Sequence, residues 1–585
     1  MTRAIGIDFG TSTTVVKIQN DSANPASPVE SITFNGHPTV PTMVFCRAPE
    51  DDGAPSMTYF GYEAEAMNRN GMPGVLSVNF KMDLVSTDEQ RSTEARRLTQ
   101  LFFNFLHEAY LMQASTFGPC DKVMTYVSYP AKWPSDVRVF MKECAINAGF
   151  GTADTVQGVD EPTAAVLASI SDNLSSLQQQ SIVLPDKPMQ VMMIDMGAGT
   201  SDIALFKMSI PAGTSSRPSI YDVVTYPSIE CSYLCGGREI DATLADYVVN
   251  YITSIRKPPF LTKGREQKTR DTINQWKDTI VSPQLASGFK ITTHPVLVGY
   301  REELIDEGID VAPESEIGPF CINRVFFEYL TRNHWTAWRN LLNDALQEAC
   351  KCGYEMTAAD IDLIILAGGH SQWYGTRDFL LGEEFAGLEP LGFTKIEREP
   401  IRLMQSQRPH ETVAKGLCLY DTEFDVKQVT ANNVWIRFQM GNVITDWQKA
   451  IDKNVTLPCT APKLVFEIET TANLFVREQG AVIVCETAQG ESLENCRTHK
   501  EEVLFPPQGA INHFFDIIFG SLLSPLAIIA YLIDGKESAG IKKAFETPRK
   551  FKLSPDITVG ADGIIRVSGS INADGKTIKL TEHQI

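Results

Sequence analysis

Residues 4–18, AIGIDFGTSTTVVKI, set two apolar runs on either side of a short polar stretch. This pattern predicts two strands joined by a tight turn. An ordinary hairpin needs only Asn-Gly or Asp-Gly at that point. Here the first strand ends on a carboxylate, Asp8, and Gly10 is followed by Thr11, Ser12 and Thr13. Residues 191–206, VMMIDMGAGTSDIALF, repeat the arrangement with Asp195, a Gly-Ala-Gly-Thr turn, and a second strand opened by Ser201 and Asp202. A third apolar run, in IDLIILAGGHSQWYGTRDFLL at 361–381, passes through Gly368 and Gly369 into a predicted helix. Residues 453–486 and 550–580 alternate apolar and polar positions over short strands, the grammar of a β-sandwich, with GADG and NADG as hairpin turns. Residues 514–533 form an apolar run with one charge, Asp516.

Two copies of one strand–Asp–glycine turn–strand unit, about 190 residues apart, suggest a duplicated domain with a cleft between its halves. The chemistry such units offer is specific. Glycines let backbone N–H groups approach phosphate oxygens, and hydroxyls add donors. Strand-end carboxylates suit magnesium, which keeps several of its own waters. Two facing loops grip a β,γ-phosphate from both sides, and the Gly368-Gly369 turn lets the chain pass close to a flat ring or a ribose.

Length and charge narrow the classes further. At 585 residues the chain suits three or four domains, and 43% hydrophobic content is ordinary for a globular protein. A net charge of −20 disfavours a nucleic-acid partner. The 12 cysteines include no Cys-x-x-Cys pair, and neither Cys231/Cys235 nor Cys350/Cys352 has a partner at zinc spacing. Free thiols in a reducing, cytoplasmic compartment are expected. The N-terminal residues show no secretory signal.

Taken in order, these motifs resemble the phosphate-1, phosphate-2 and adenosine loops of the actin-like ATPase superfamily, and further stretches single out the DnaK-type heat-shock protein 70 family. VMTYVSYPAKWPSDVRVFMKECAINAGF (123–150) looks like that family's strand, proline turn and helix. VDEPTAAVLAS (159–169) is close to its connecting motif, CGGREIDATLADYV (235–248) to its Gly-Gly turn and helix, and RPHETVAKGLCLY (408–420) to its closing helix. SVNFKMDLV (77–85) matches the stretch that carries the family's catalytic lysine, here Lys81.

The resemblance implies a two-lobed α/β actin-like ATPase, a duplicated ribonuclease-H-like domain, over residues 1–420. Lobe I covers about 1–175 and 400–420, and lobe II about 190–395. A polar linker at 421–433 and an all-β sandwich at 434–585 would follow, with an apolar helical insertion at 511–549 and no C-terminal helical lid. The implied activity is magnesium-dependent hydrolysis of ATP to ADP and phosphate by a molecular chaperone. Its nucleotide state would control polypeptide binding by the sandwich. Asp8 and Asp195 would hold magnesium through water. Lys81, Glu161, Asp202 and Thr200 complete the implied catalytic set. Gly10, Thr11, Ser12, Thr13, Gly197, Ala198, Gly199, Thr200, Gly236, Gly237, Lys277, Gly368 and Gly369 would bind the nucleotide. Unfolded or extended polypeptides are the implied clients. A J-domain co-chaperone and a nucleotide-exchange factor are the implied helpers, and a monomer is expected. Pro130 and Arg138 match the family's relay between nucleotide and interdomain surface, with a structural turn as the rival reading.

The chain departs from the family at identifiable points. His370 stands where the family has a serine, Gln372 replaces its adenine-facing arginine, and Lys277-Asp278 stands for its Lys-Arg pair. Weaker affinity for adenine, or a looser base choice, is therefore expected. The linker YDTEFDVKQVTANN lacks the family's leucine cluster. The 514–533 run is read first as a helix or helical hairpin packed on the protein, second as a membrane-surface element. A full span is disfavoured because it would split one sheet across a bilayer. A nucleotide-controlled scaffold, or a membrane-recruited module with one dedicated partner, remains the alternative function.

Overall fold

The computed structural model describes residues 1–585 except 23, 25–26, 48–56, 131–132, 186, 198–200, 210–218, 228–236, 256–276, 278–280, 290–320, 352–355, 407, 421–424, 428, 431, 441–442, 454, 472–479, 488–492, 494–497, 500–547, 574–575 and 585. It is a mixed α/β protein with several sheets. Two compact units interleave along the chain. The first comprises Met1–Asn79, Gln113–Lys122 and Asp160–Val426, and the second Phe80–Met112, Val123–Val159 and Lys427–Ile585.

In the first unit, Thr2–Phe9 and Thr13–Gln19 pair antiparallel with Asp8 opposite Val15. Every residue from Ala4 to Ile7 is buried, because apolar side chains cover both faces of the strand. The second predicted hairpin has the same build. Met189–Met196 pairs antiparallel with Ser201–Ser209, and Asp195 faces Asp202. Both leading strands are eight residues long, with the aspartate in the seventh place. Leu363–Ala367 lies parallel to Met189–Met196, and Leu403–Gln405 lies parallel to Leu363–Ala367. Ser219–Pro227 extends the sheet on its other side. Asp425–Lys427 forms the outer strand beyond it. Part of the stretch expected as a plain linker is thus a strand; its backbone can join a ladder whatever its polar side chains are.

Two helices tie this unit together. Glu161–Gln179 begins at Asp160, whose carboxylate accepts the Thr163 amide at 2.8 Å, and Pro162 occupies the first turn. Thr412–Leu419 is buried along nearly its whole length. Gly416 allows the two helices to touch backbone to backbone, since a Cβ there would overlap the Ala164 carbonyl. Gly6 does the same for the opening strand, where a Cβ would overlap the Ala414 carbonyl. A buried ion pair locks the junction: Lys17 Nζ meets Glu411 Oε2 at 2.6 Å and also donates to Ser31 Oγ at 2.9 Å. Arg332–Lys351 covers the second sheet with Trp335 and Trp338, both about 1% exposed.

In the second unit, Glu89–Gln113 and Ser135–Ala148 are the main helices. Asn433–Met440 pairs antiparallel with Gly480–Thr487. In a separate sheet, Pro548–Val559, Ile565–Ala573 and Lys576–Gln584 form an antiparallel meander. The GADG stretch is the turn between the first two of these strands, with Gly563 N–H donating to Gly560 O. That turn seats on Ser135–Ala148 and its approach. Tyr129 Oη donates to Asp562 O at 2.8 Å, Arg138 Nη1 to Gly563 O at 2.9 Å, and Lys142 Nζ pairs with Asp562 at 3.1 Å.

Cys46, Cys120, Cys144, Cys321, Cys350, Cys418 and Cys459 are free, whereas Cys485 is disulfide-bonded. The expectation of free thiols throughout fails at that position. There the strand Gly480–Thr487 meets a returning segment, with Thr498 opposite Cys485, and cysteine spacing alone does not reveal such a neighbour. Among the described residues no helix is long and apolar enough to cross a membrane. The 514–533 run lies outside the described residues.

Breaking a buried pair strands the remaining charge, at a cost of about 3–5 kcal/mol. Lys17→Met is therefore expected to lower the chemical-unfolding midpoint by an equivalent of about 3 kcal/mol. The double change Lys17→Met/Glu411→Leu should recover most of that loss. Denaturant titration of the three proteins checks both.

Candidate functional site

Asp8 is carried near the end of the opening strand, followed by a turn that exposes Ser12 and leaves Gly10, Thr11 and Thr13 half-buried. Thr42 braces this turn: its hydroxyl donates to Gly10 O at 2.8 Å and its amide to Ser12 O at 2.9 Å. Thr42 Oγ1 also lies 2.9 Å from Thr14 Oγ1. The turn is therefore held by neighbouring chain, which keeps its hydroxyls in a defined arc. Glu161 is the first residue of its helix and is half-buried. Its helix packs against Thr412–Leu419 and against the strands Met189–Met196 and Leu363–Ala367.

The second turn converges with two further segments of the same unit. Gly368 has φ +74°, and a Cβ on it would overlap the Asp195 carboxylate and the Met196 carbonyl. Only glycine fits here, because it tolerates positive φ and presents no side chain to the carboxylate. Parallel pairing sets this up by placing Asp195 beside Ala367. Gly237 N–H donates to Gly197 O at 3.1 Å, which brings the start of Gly237–Ile255 onto the second turn. Asp202 is 8% exposed, across the hairpin from Asp195. Gly197, Gly237, Asp195, Asp202 and Gly368 thus form one neighbourhood, with Gly369 exposed at its side. Ala198, Gly199, Thr200 and Gly236 lie outside the described residues. Also among the described residues, no group of three His, Cys, Asp or Glu side chains is placed to hold a metal ion directly.

The base-side residues His370, Gln372 and Lys277 differ in their surroundings, and Asp278 lies outside the described residues. Gln372 is exposed. Lys277 is 5% exposed and ion-paired with Asp241 on Gly237–Ile255. His370 is 8% exposed and turned into an aromatic cluster. Its ring centroid lies 5.4 Å from His334, 6.1 Å from Trp335 in a near-parallel stack, and 6.4 Å from Trp373. The site of a Cβ on Gly237 lies 3.3 Å from that imidazole. Burial, followed by the charges of His334 and Lys277, holds the His370 imidazole well below its ordinary pKa. No spacing rule finds this cluster; the signal available in sequence is the pair of tryptophans three apart at 335 and 338 on a helical stretch.

Lys81 belongs to the second unit. It follows Phe80 in the helical turn Phe80–Asp83 and is 3% exposed. The rival reading, an exposed lysine beside Asp83, does not hold, because the side chain is buried; Asp83 is paired with Arg91 at 2.5 Å. The Lys81 ammonium lies 5.4 Å from the centroid of the Trp133 ring. Pro130 O accepts the Trp133 amide at 3.0 Å, just ahead of Ser135–Ala148. Arg138, besides its bond to Gly563 O, sits 5.3 Å from the Tyr129 ring centroid.

The depressed His370 pKa has a definite sign. Folding keeps this imidazole neutral, so its stabilisation is complete above the ordinary histidine value near 6.5 and is lost as pH falls below it. A drop from pH 6.5 to 5.5 is expected to cost the wild type up to about 1.4 kcal/mol more than it costs His370→Phe. Unfolding midpoints of both proteins at pH 7.5, 6.5 and 5.5 check this.

No protein-family model matches the chain.

Proposed function

We propose that the chain is a cytoplasmic, magnesium-dependent ATPase of the DnaK heat-shock type, with a two-lobed actin-like nucleotide domain and a C-terminal β-sandwich for extended polypeptide. The observation that carries this reading is the matched pair of hairpins, each with its aspartate in the seventh place of an eight-residue strand. It is joined by the Gly368 turn lying directly against Asp195.

In this reading Gly10, Thr11, Ser12 and Thr13 receive the terminal phosphates on one side. Gly197, Ala198, Gly199 and Thr200 receive them on the other. Asp8 and Asp195 would hold the magnesium ion through its bound waters, which needs no cluster of direct ligands. Bound magnesium would neutralise charge on the β- and γ-phosphates. Glu161 and Asp202 orient water, and Lys81 stabilises charge developing on the transferred phosphoryl group. Gly236, Gly237, Lys277, Gly368 and Gly369 line the nucleoside. A J-domain co-chaperone and an exchange factor are partners this class of cycle calls for.

The base side supports a looser preference. Gln372 cannot stack on a purine as a guanidinium does, and Lys277 is engaged by Asp241. A cation–π contact of this kind is worth about 0.5–2 kcal/mol. GTP is accordingly expected to displace labelled ATP within about tenfold of unlabelled ATP in a competition titration.

The central test is magnesium-dependent ATP turnover by the full chain against Lys81→Ala, with and without an unfolded peptide. Lys81→Ala is expected to lower kcat about 10²- to 10³-fold, and peptide to raise the wild-type rate. ATP binding with no turnover in either protein would instead support the scaffold reading. Turnover without a peptide response would leave an ATPase whose C-terminal sheets serve another partner.

A further inference from the structure

We propose that Trp133 is a positioning residue for Lys81: its indole face holds the ammonium in one place before the nucleotide arrives. The inference rests on the ATPase reading above and deepens it. Both residues are 3% exposed, and the ammonium lies 5.4 Å from the ring centroid. A buried ammonium has lost most of its water and needs compensation from its surroundings. An indole face supplies part of it, and of the aromatic rings indole does so best. The ring also restrains a side chain that otherwise samples many rotamers.

The ring is itself well placed to act as a fixed wall. Its backbone amide is bonded to Pro130 O, and Pro134 follows it directly. Pro134 O accepts the amides of Val137 and Arg138 at 3.1 Å, so the helix begins immediately behind the ring. Ser135 is held at both ends. Its amide donates to Glu486 Oε2 at 2.6 Å, and its hydroxyl accepts the Ile565 amide at 2.9 Å. On the lysine's side, Phe80 packs edge-on against Phe102, with centroids 6.2 Å apart. Asp83, in the same turn, is paired with Arg91. The cation and its wall are each fixed by separate contacts, which is what positioning requires.

Leucine at 133 keeps apolar bulk and removes the π face; phenylalanine keeps a weaker face. The full chain is tested as wild type, Trp133→Leu and Trp133→Phe. Expected for Trp133→Leu is a kcat reduced about 3- to 30-fold, the range a cation–π contact spans. ATP affinity should stay within about twofold of wild type, and Trp133→Phe should recover most of the rate. Acylation of lysines in the nucleotide-free protein, read by peptide mass spectrometry, should show Lys81 reacting several-fold faster in Trp133→Leu. A Trp133→Leu protein with wild-type kcat overturns the proposal, as does unchanged Lys81 acylation. So does a loss of rate and ATP affinity together that phenylalanine does not recover, since that is the mark of a structural role. A wild type that hydrolyses no ATP overturns the ATPase reading itself. The acylation readout needs no turnover and then decides the contact by itself.

Discussion

Backbone meets backbone at Gly416 and Ala164, and the arrangement of the first unit depends on that contact. A side chain at 416 would hold Thr412–Leu419 away from Glu161–Gln179. Gly6 repeats the demand on the other side, where the same helix lies on the opening strand. One short helix therefore sets the spacing between the strand that carries Asp8 and the helix that begins at Glu161. The Lys17–Glu411 pair fixes its azimuth. Close approach of this kind trades side-chain volume for positional accuracy, and a site that works by positioning needs that accuracy.

Charge is distributed to match. The chain carries −20 overall, and among the described residues Lys17 is paired with Glu411, Lys277 with Asp241 and Lys142 with Asp562, while Lys81 lies over an indole face. Asp562 illustrates the balance. Burial pushes its carboxyl up, while hydrogen bonds and charge from Arg566 and Lys142 outweigh that and hold it below the usual range. Desolvation is tolerated where a partner is already in place, and the aspartates proposed to face the metal's water shell, Asp8 and Asp195, are only half-buried.

What was legible in the sequence is what short-range grammar encodes. The strand–Asp–glycine units, the Gly368 turn and the alternation of the C-terminal strands all depend on residues within a turn of one another. Sequence placed Asp8 and Asp195 at strand ends, and the hairpins carry them there. It could not say that Gly368 abuts Asp195, since that follows from the parallel pairing of strands some 170 residues apart. Nor could it show that His370 turns into an aromatic cluster, that Asp241 captures Lys277, or that 425–427 becomes an edge strand. Each depends on a partner that is distant in sequence.

The same distinction explains why Lys81 is hard to judge from its neighbours in sequence. Beside Asp83 it reads as half of a surface pair, and a surface pair is worth little. In the fold Asp83 belongs to Arg91, and the lysine is buried against a ring fifty-two positions away. A buried ammonium acts in a low dielectric, where each interaction is stronger than at a surface, so its surroundings are set by the fold and not by the residues beside it in sequence.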